Sequence, residues 1–177
     1  MGVWRQMWIE DIPDVYNIAM NIWTIHKERQ IIYENKFCSF PEGCYVYDDN
    51  GVKGYIISHP YNISSPPKIN TFLTEVDTNC LFIHDIVIVS EYRGRGIGNE
   101  IITKILDHNP IVSLVASDDN TKEFWMRYGF EVVEPSDCDY GIYMVKNMDH
   151  VGSYRVGKPR FPLRPLPYRA RPRAEPS

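Results

Sequence analysis

Arg93-Gly94-Arg95-Gly96-Ile97-Gly98 is the segment of this chain whose residue types and spacing are most suited to binding chemistry. Glycines let the backbone approach a ligand and take dihedrals closed to other residues. A helix starting here would offer unpaired N–H groups and the positive end of its dipole, a receptor for a diphosphate. Arg93 and Arg95 can add charge-assisted contacts. A nucleotide-hydrolysing P-loop needs Gly-Lys-Ser/Thr, whereas Gly98 is followed by Asn99-Glu100. The dinucleotide fingerprint G-x-G-x-x-G also fails, because the third glycine arrives one residue early, at Gly98. Coenzyme A is the remaining class that uses such a turn.

His84 stands in the β-branched run ahead of this turn. A histidine titrates at about 6.5 and can take a proton from an ammonium at neutral pH, freeing its lone pair for attack. Taken alone in a strand, it reads first as a hydrogen-bonded core imidazole. Regular alternation places His84 and Ile86 on one face and Asp85 on the other, in a structural role.

The elements that must position these residues follow from periodicity. Residues 3–8 read as a first strand, and Asp11 as an N-cap with Pro13 in the first turn. Ile12, Val15, Ala19, Ile22 and Trp23 recur at helical spacing, and a second helix is expected over about 27–37. Residues 44–47 and 52–58 flank Asp48-Asp49-Asn50-Gly51, a hairpin signal. Residues 61–68 read as a loop. Residues 81–89 form a β-branched run suited to a buried central strand. Ile97, Ile101, Ile102, Ile105 and Leu106 mark a helix buried on one side, and 111–115 a short strand. A helix capped by Asp118 or Asp119 reaches Tyr128 and stops at Gly129. Residues 130–133 and 140–146 close the sheet. The expected class is α/β or α+β.

Composition bounds the rest. A chain of 177 residues suits one domain with a core. Its 12 Tyr and 4 Trp fit a well-filled core or an aromatic pocket. Residues 1–150 carry 22 acidic against 12 basic side chains, a charge of −10, while 151–177 carry seven basic and one acidic, +6. The acidic body favours a cationic substrate over nucleic acid. Residues 151–177, with six prolines, read as an extended or disordered tail that could dock to a protein or an anionic surface. There is no run of about 18 apolar residues, no basic-then-apolar leader, and Gln6 where myristoylation wants Ser or Thr. Cys38, Cys44, Cys80 and Cys138 have neither C-x-x-C nor zinc spacing. The expectation is a cytoplasmic protein with free thiols and no metal.

The pattern R-x-x-G-x-G, met by Arg93, Gly96 and Gly98 after Ile86-Val87-Ile88, resembles the acetyl-CoA signature of the GNAT N-acetyltransferases. Residues 116–130, ending Phe124-Trp125-Met126-Arg127-Tyr128-Gly129-Phe130, resemble the family's second motif. The resemblance covers roughly residues 1–148. Phe40-Pro41-Glu42-Gly43-Cys44, Gly54-Tyr55-Ile56-Ile57-Ser58 and Phe82-Ile83-His84-Asp85 are similar to the arylalkylamine N-acetyltransferase branch.

This resemblance implies a mostly antiparallel mixed sheet of six to seven strands with about four helices. It implies acetyl-CoA bound by Ile86, Val87, Ile88, Arg93, Gly94, Arg95, Gly96, Ile97, Gly98, Asn99 and Phe124. The pantetheine arm would lie along 86–88 as an extra strand, with a backbone N–H there as oxyanion donor. It implies His84 as a base working through water, with Phe82 where the branch has a second histidine. Trp125 occupies the usual position of the tyrosine acid, so Tyr128 or Tyr140 would protonate the thiolate, or it would leave unassisted. Phe40 and Pro41 resemble a substrate-gripping loop, and Glu42 could hold a second ammonium. The implied activity is acetyl transfer to a small primary amine of arylalkylamine or polyamine type. The alternatives are peptide acetylation and a non-catalytic CoA-binding module.

Overall fold

The computed structural model describes residues 1–74, 77–134 and 138–147; the basic tail lies outside them. Seven strands form one sheet: β1 (Val3–Gln6), β2 (Cys44–Asp48), β3 (Val52–Tyr61), β4 (Cys80–Ile88), β5 (Ile111–Ala116), β6 (Glu131–Val132) and β7 (Ile142–Asn147). Their order is β1-β2-β3-β4-β5-β7-β6. Only β4 and β5 run parallel among the paired neighbours. Four α-helices accompany them: α1 (Ile12–Ile22), α2 (Gln30–Ser39), α3 (Ile97–His108) and α4 (Asp119–Met126). The expected mixed, mostly antiparallel architecture is therefore the one observed.

Helices cover both faces. The apolar stripe of α3 (Ile101, Ile102, Ile105, Leu106) packs with Trp125 and Phe130 on Ile56, Leu81 and Ile83. On the other face Val15 and Ala19 of α1, with Tyr33 and Phe37 of α2, bury Val46, Tyr55, Ile57 and Val87. β4 has a helical layer on each side, which is why its sequence is apolar without alternation.

Local signals account for most boundaries. Asn50 (φ 54°) and Gly51 (φ 116°) turn the β2–β3 hairpin in the left-handed region. Asp118 caps α4 by accepting from the Thr121 amide at 2.8 Å. Asp11 precedes α1 without capping it, because its carboxylate is engaged by Arg5 at 2.7 and 2.9 Å and by the Trp8 amide. α2 begins at Gln30, three residues beyond the expected start. Phe130 lies outside β6, in the core.

Two irregularities of β4 create the site. Pairing with β5 is confined to Leu81↔Val112, Phe82↔Ser113 and Ile83↔Leu114. Beyond Ile83 the strands part, leaving the β5-side edge of β4 open. On the β3 side Ile57 pairs with Asp85 but Ser58 pairs with Ile83, so His84 is the extra residue of a bulge. The bulge overturns the expected alternation. Asp85 and His84 both face α1, α2 and the segment between them, whereas Ile86 packs toward α3.

Candidate active site

The glycine turn leads into α3 as its sequence demands. Gly94 (φ 73°) and Gly96 (φ 79°) are left-handed, and Gly96 is the N-cap of α3. The first ladder bond runs from the Glu100 amide to the Gly96 carbonyl, 3.1 Å, so the amides of Ile97, Gly98 and Asn99 lie outside the ladder. A Cβ added at Gly94, Gly96 or Gly98 would meet nothing within 4 Å, so this surface is an open cradle. Arg93 donates from Nε to the Ile88 carbonyl at 2.8 Å, and Arg95 to the Glu91 carbonyl at 2.7 Å while stacking on Tyr92. Both guanidinium groups thus brace the turn from its own backbone.

A cleft of about 460 Å³ runs from this cradle along the open edge of β4. Ile86, Val87, Ile88, Arg93, Gly94, Gly96, Ile97, Gly98, Asn99, Phe124 and Tyr128 all line it. Arg95 lies outside the lining. Trp125 is in the wall, and Ile22 and Trp23 close it from the end of α1. The Tyr128 hydroxyl donates to Asn99 Oδ1 at 3.1 Å, which holds it beside the first turn of α3. His84 also lies outside the lining, four residues back from Ile88, about 13 Å along the same strand.

His84 is paired there. Its Nε2 is hydrogen-bonded to Glu28 Oε2. Glu28 is 4% exposed; its Oε1 accepts from Lys36 Nζ at 3.3 Å and from the Asn70 amide at 2.7 Å. Burial alone would raise the Glu28 carboxyl. The charge and hydrogen bond of His84, with Lys36 and the Asn70 amide, outweigh it and hold the group down at about 2. An ionised carboxylate only accepts, so Nε2 carries the proton and the lone pair of neutral His84 is on Nδ1. Nδ1 has no hydrogen-bond partner among the described residues.

Asp85 is fixed next to it. Its Oδ2 accepts from the Tyr55 hydroxyl and from Trp23 Nε1 at 3.1 Å. Burial raises this carboxyl, against the Tyr55 bond and the His84 charge. The carboxylate is thus connected to the cleft through Trp23, a residue of its wall.

Other expected residues lie elsewhere. Phe40 packs against the core beneath α3, and the carbonyl of Pro41 accepts from Gln6 Nε2 at 2.6 Å. Glu42 is exposed in the turn Pro41–Gly43. None of the three lines the cleft. Tyr140 donates to the Pro67 carbonyl at 2.6 Å, away from it. Glu28, Lys36, Trp23 and Tyr55 escaped the sequence reading. Glu28 and Lys36 had one usable signal, charges in a stretch that must be partly buried.

A helix start offering free amides beside an open strand edge, with a carboxylate-held histidine farther back on the same strand, is the arrangement of an acyl-carrier-dependent transferase. The chain belongs to the acetyltransferase (GNAT) family, whose model matches residues 10–130. It is accordingly an acetyl-CoA-dependent N-acetyltransferase with acetyl-CoA as co-substrate. Comparison with the curated proteins gave no match. Among solved structures it is similar to Ard1 from Thermoplasma volcanium (22% identity, TM-score 0.63, 82% of this chain and 96% of that one). It is similar to Arabidopsis thaliana Naa50 in complex with the bisubstrate analogue CoA-Ac-MVNAL (15%, TM-score 0.58, 82% and 98%). A third is the diaminobutyrate acetyltransferase EctA from Paenibacillus lautus in complex with L-2,4-diaminobutyric acid and coenzyme A (13%, TM-score 0.60, 82% and 93%). At these identities the likeness is one of fold. Among the described residues no helix is long and apolar enough to cross a membrane.

Proposed function

We propose that this enzyme acetylates the primary amine of a small molecule, of arylalkylamine or polyamine type, by base-assisted direct attack on the thioester. Acetyl-CoA supplies the activated acetyl group. The amides of residues 97–99 and the cradle at Gly94, Gly96 and Gly98 receive its diphosphate. Arg93 and Arg95 fix that turn, and Phe124 walls the cleft beside it. The open edge over residues 86–88 pairs with the pantetheine arm, and an amide of that stretch steadies the carbonyl oxygen.

His84 removes the proton that blocks the amine lone pair, through Nδ1, while Glu28 holds Nε2–H and stabilises the imidazolium. The amine nitrogen bonds to the carbonyl carbon, the carbon–sulfur bond breaks, and the thiolate takes a proton. For Tyr128 to give that proton, its hydroxyl must leave Asn99 and turn along the cleft.

One observation carries the small-amine reading. The Asn70 amide bonds Glu28 and the Asn70 side chain accepts from the Arg29 amide at 3.0 Å, so the loop between β3 and β4 is tied across the His84 end. A loop tied across that end leaves less room for an extended peptide than for a compact amine. Thiol release from acetyl-CoA with tryptamine, spermidine and a lysine peptide tests this. Turnover with tryptamine or spermidine is expected. Turnover with the peptide alone contradicts the reading.

A further inference from the structure

Among the described residues one buried side-chain nitrogen or oxygen has no hydrogen-bond partner: Nε2 of His59. His59 is 0% exposed, on β3, in register with Phe82 of β4. Its ring centroid lies 5.5 Å from Phe82, 5.8 Å from Tyr61 and 6.1 Å from His84. Nδ1 meets the Pro60 carbonyl at 3.2 Å. A carbonyl only accepts, so Nδ1 carries the hydrogen and Nε2 presents a bare lone pair. Burial, then the charge of His84, hold this imidazole down at about 3, so it is neutral at physiological pH. The ionisable groups facing it are Tyr61 on its own strand, His84 on β4, Glu28 ahead of α2 and Lys36 within α2.

A buried acceptor without a donor is costly, and native interiors commonly satisfy one with an internal water. His84, at its ring distance, is too far for a direct ring-to-ring bond. Its Nδ1 is a second lone pair without a partner among the described residues. One water can donate to both.

We propose that His59 is a positioning residue of the acetyl-transfer reaction, its Nε2 holding an internal water through which the acceptor's proton reaches His84. The inference rests on His84 being the base. The water donates one hydrogen to His59 Nε2 and the other to His84 Nδ1, leaving its oxygen lone pairs toward the amine. The acceptor N–H breaks as its proton joins the water oxygen. The water O–H toward His84 breaks as that proton joins Nδ1. His59 keeps its hydrogen bond throughout and is never protonated. The cross-strand partner of Phe82 thereby gives the site a second imidazole.

The test combines nitrogen-15 NMR of the imidazoles in the full chain with steady-state kinetics of His59→Leu and His59→Gln. The expected spectrum has His59 as the Nδ1–H tautomer with an exchange-corrected Overhauser contact to water. His59→Leu is expected to lower kcat about tenfold or more, to leave KM for acetyl-CoA unchanged and to alter the acid limb of the pH profile. His59→Gln, with an acceptor oxygen, is expected to restore most of the rate. An Nε2–H tautomer, no water contact, or an unaltered pH profile in His59→Leu overturns the proposal. If His84→Gln is inactive while His59→Leu is unaffected, the His59 role falls and the base stands. Full activity of His84→Gln overturns both. The spectra decide the case if His59→Leu does not fold.

Discussion

Nε2 of His84 is hydrogen-bonded to Oε2 of Glu28, a residue 56 positions earlier in the chain. The pairing assigns the tautomer of the imidazole and turns its lone pair away from the carboxylate. It joins the segment ahead of α2 to the bulge in β4, so the proposed base depends on two distant parts of the chain.

His84→Gln is expected to lower kcat by about 10²–10⁴-fold, the range for a lost general base. Glu28→Gln is expected to lower it by about tenfold or more, because the tautomer and imidazolium lose their support. Initial-rate measurements from pH 6 to 9 check both; full activity of His84→Gln contradicts the assignment.

Glu28 also balances Lys36, which is 1% exposed and whose ammonium burial pushes down in pKa. Glu28→Ala leaves that ammonium buried without its partner and is expected to cost about 3–5 kcal/mol. Adding Lys36→Met should recover part of the loss, since it removes the buried charge left without a partner. Urea unfolding of the natural chain and the two variants measures this.

Asp85 accepts from Tyr55, whose side chain is 0% exposed. Asp85→Leu leaves that hydroxyl unpaired and is expected to cost about 1–3 kcal/mol, while Asp85→Asn, which keeps an acceptor, costs less. Trp23 loses its anchor too, so KM for acetyl-CoA should rise in Asp85→Leu. Equal unfolding midpoints for the two variants would contradict this.

Acid should weaken the fold in two stages. His59 titrates near 6.5 when unfolded and at about 3 in the fold, so the unfolded chain takes up the proton first and stability falls as pH drops from 6.5 toward 3. Glu28 titrates near 4.5 unfolded and at about 2 folded; its contribution is complete above 4.5 and is lost toward 2. Urea midpoints at pH 7 and 5 should differ less in His59→Leu than in the natural chain.

The glycine turn and the helix behind it were legible in the sequence because their determinants are local. Gly94, Gly96 and Gly98 specify an open turn, and the stripe from Ile97 to Leu106 specifies the buried face of the helix behind it. Asn50-Gly51 announced its hairpin for the same reason. The surroundings of His84 were not legible. The face of His84 is decided by a bulge, which belongs to the pairing of β3 with β4 and not to either segment. Glu28 lies in a stretch without periodicity, and its role depends on Lys36 and Asn70 arriving from two directions. Histidines counted along β4 alone stop at Phe82; the imidazole opposite it, His59, belongs to the neighbouring strand.

Gly98 gives the most direct test of where acetyl-CoA sits. It lies in the first turn of α3 with nothing within 4 Å of an added Cβ, so alanine should leave stability unchanged or raise it by about 0.5–1 kcal/mol. The same methyl would stand where the diphosphate meets the helix amides. Titration calorimetry with acetyl-CoA is predicted to show one-to-one binding to the natural chain and at least about tenfold weaker binding to Gly98→Ala, a loss of about 1.4 kcal/mol or more. No measurable affinity in the natural chain, or equal affinity in both, would contradict it.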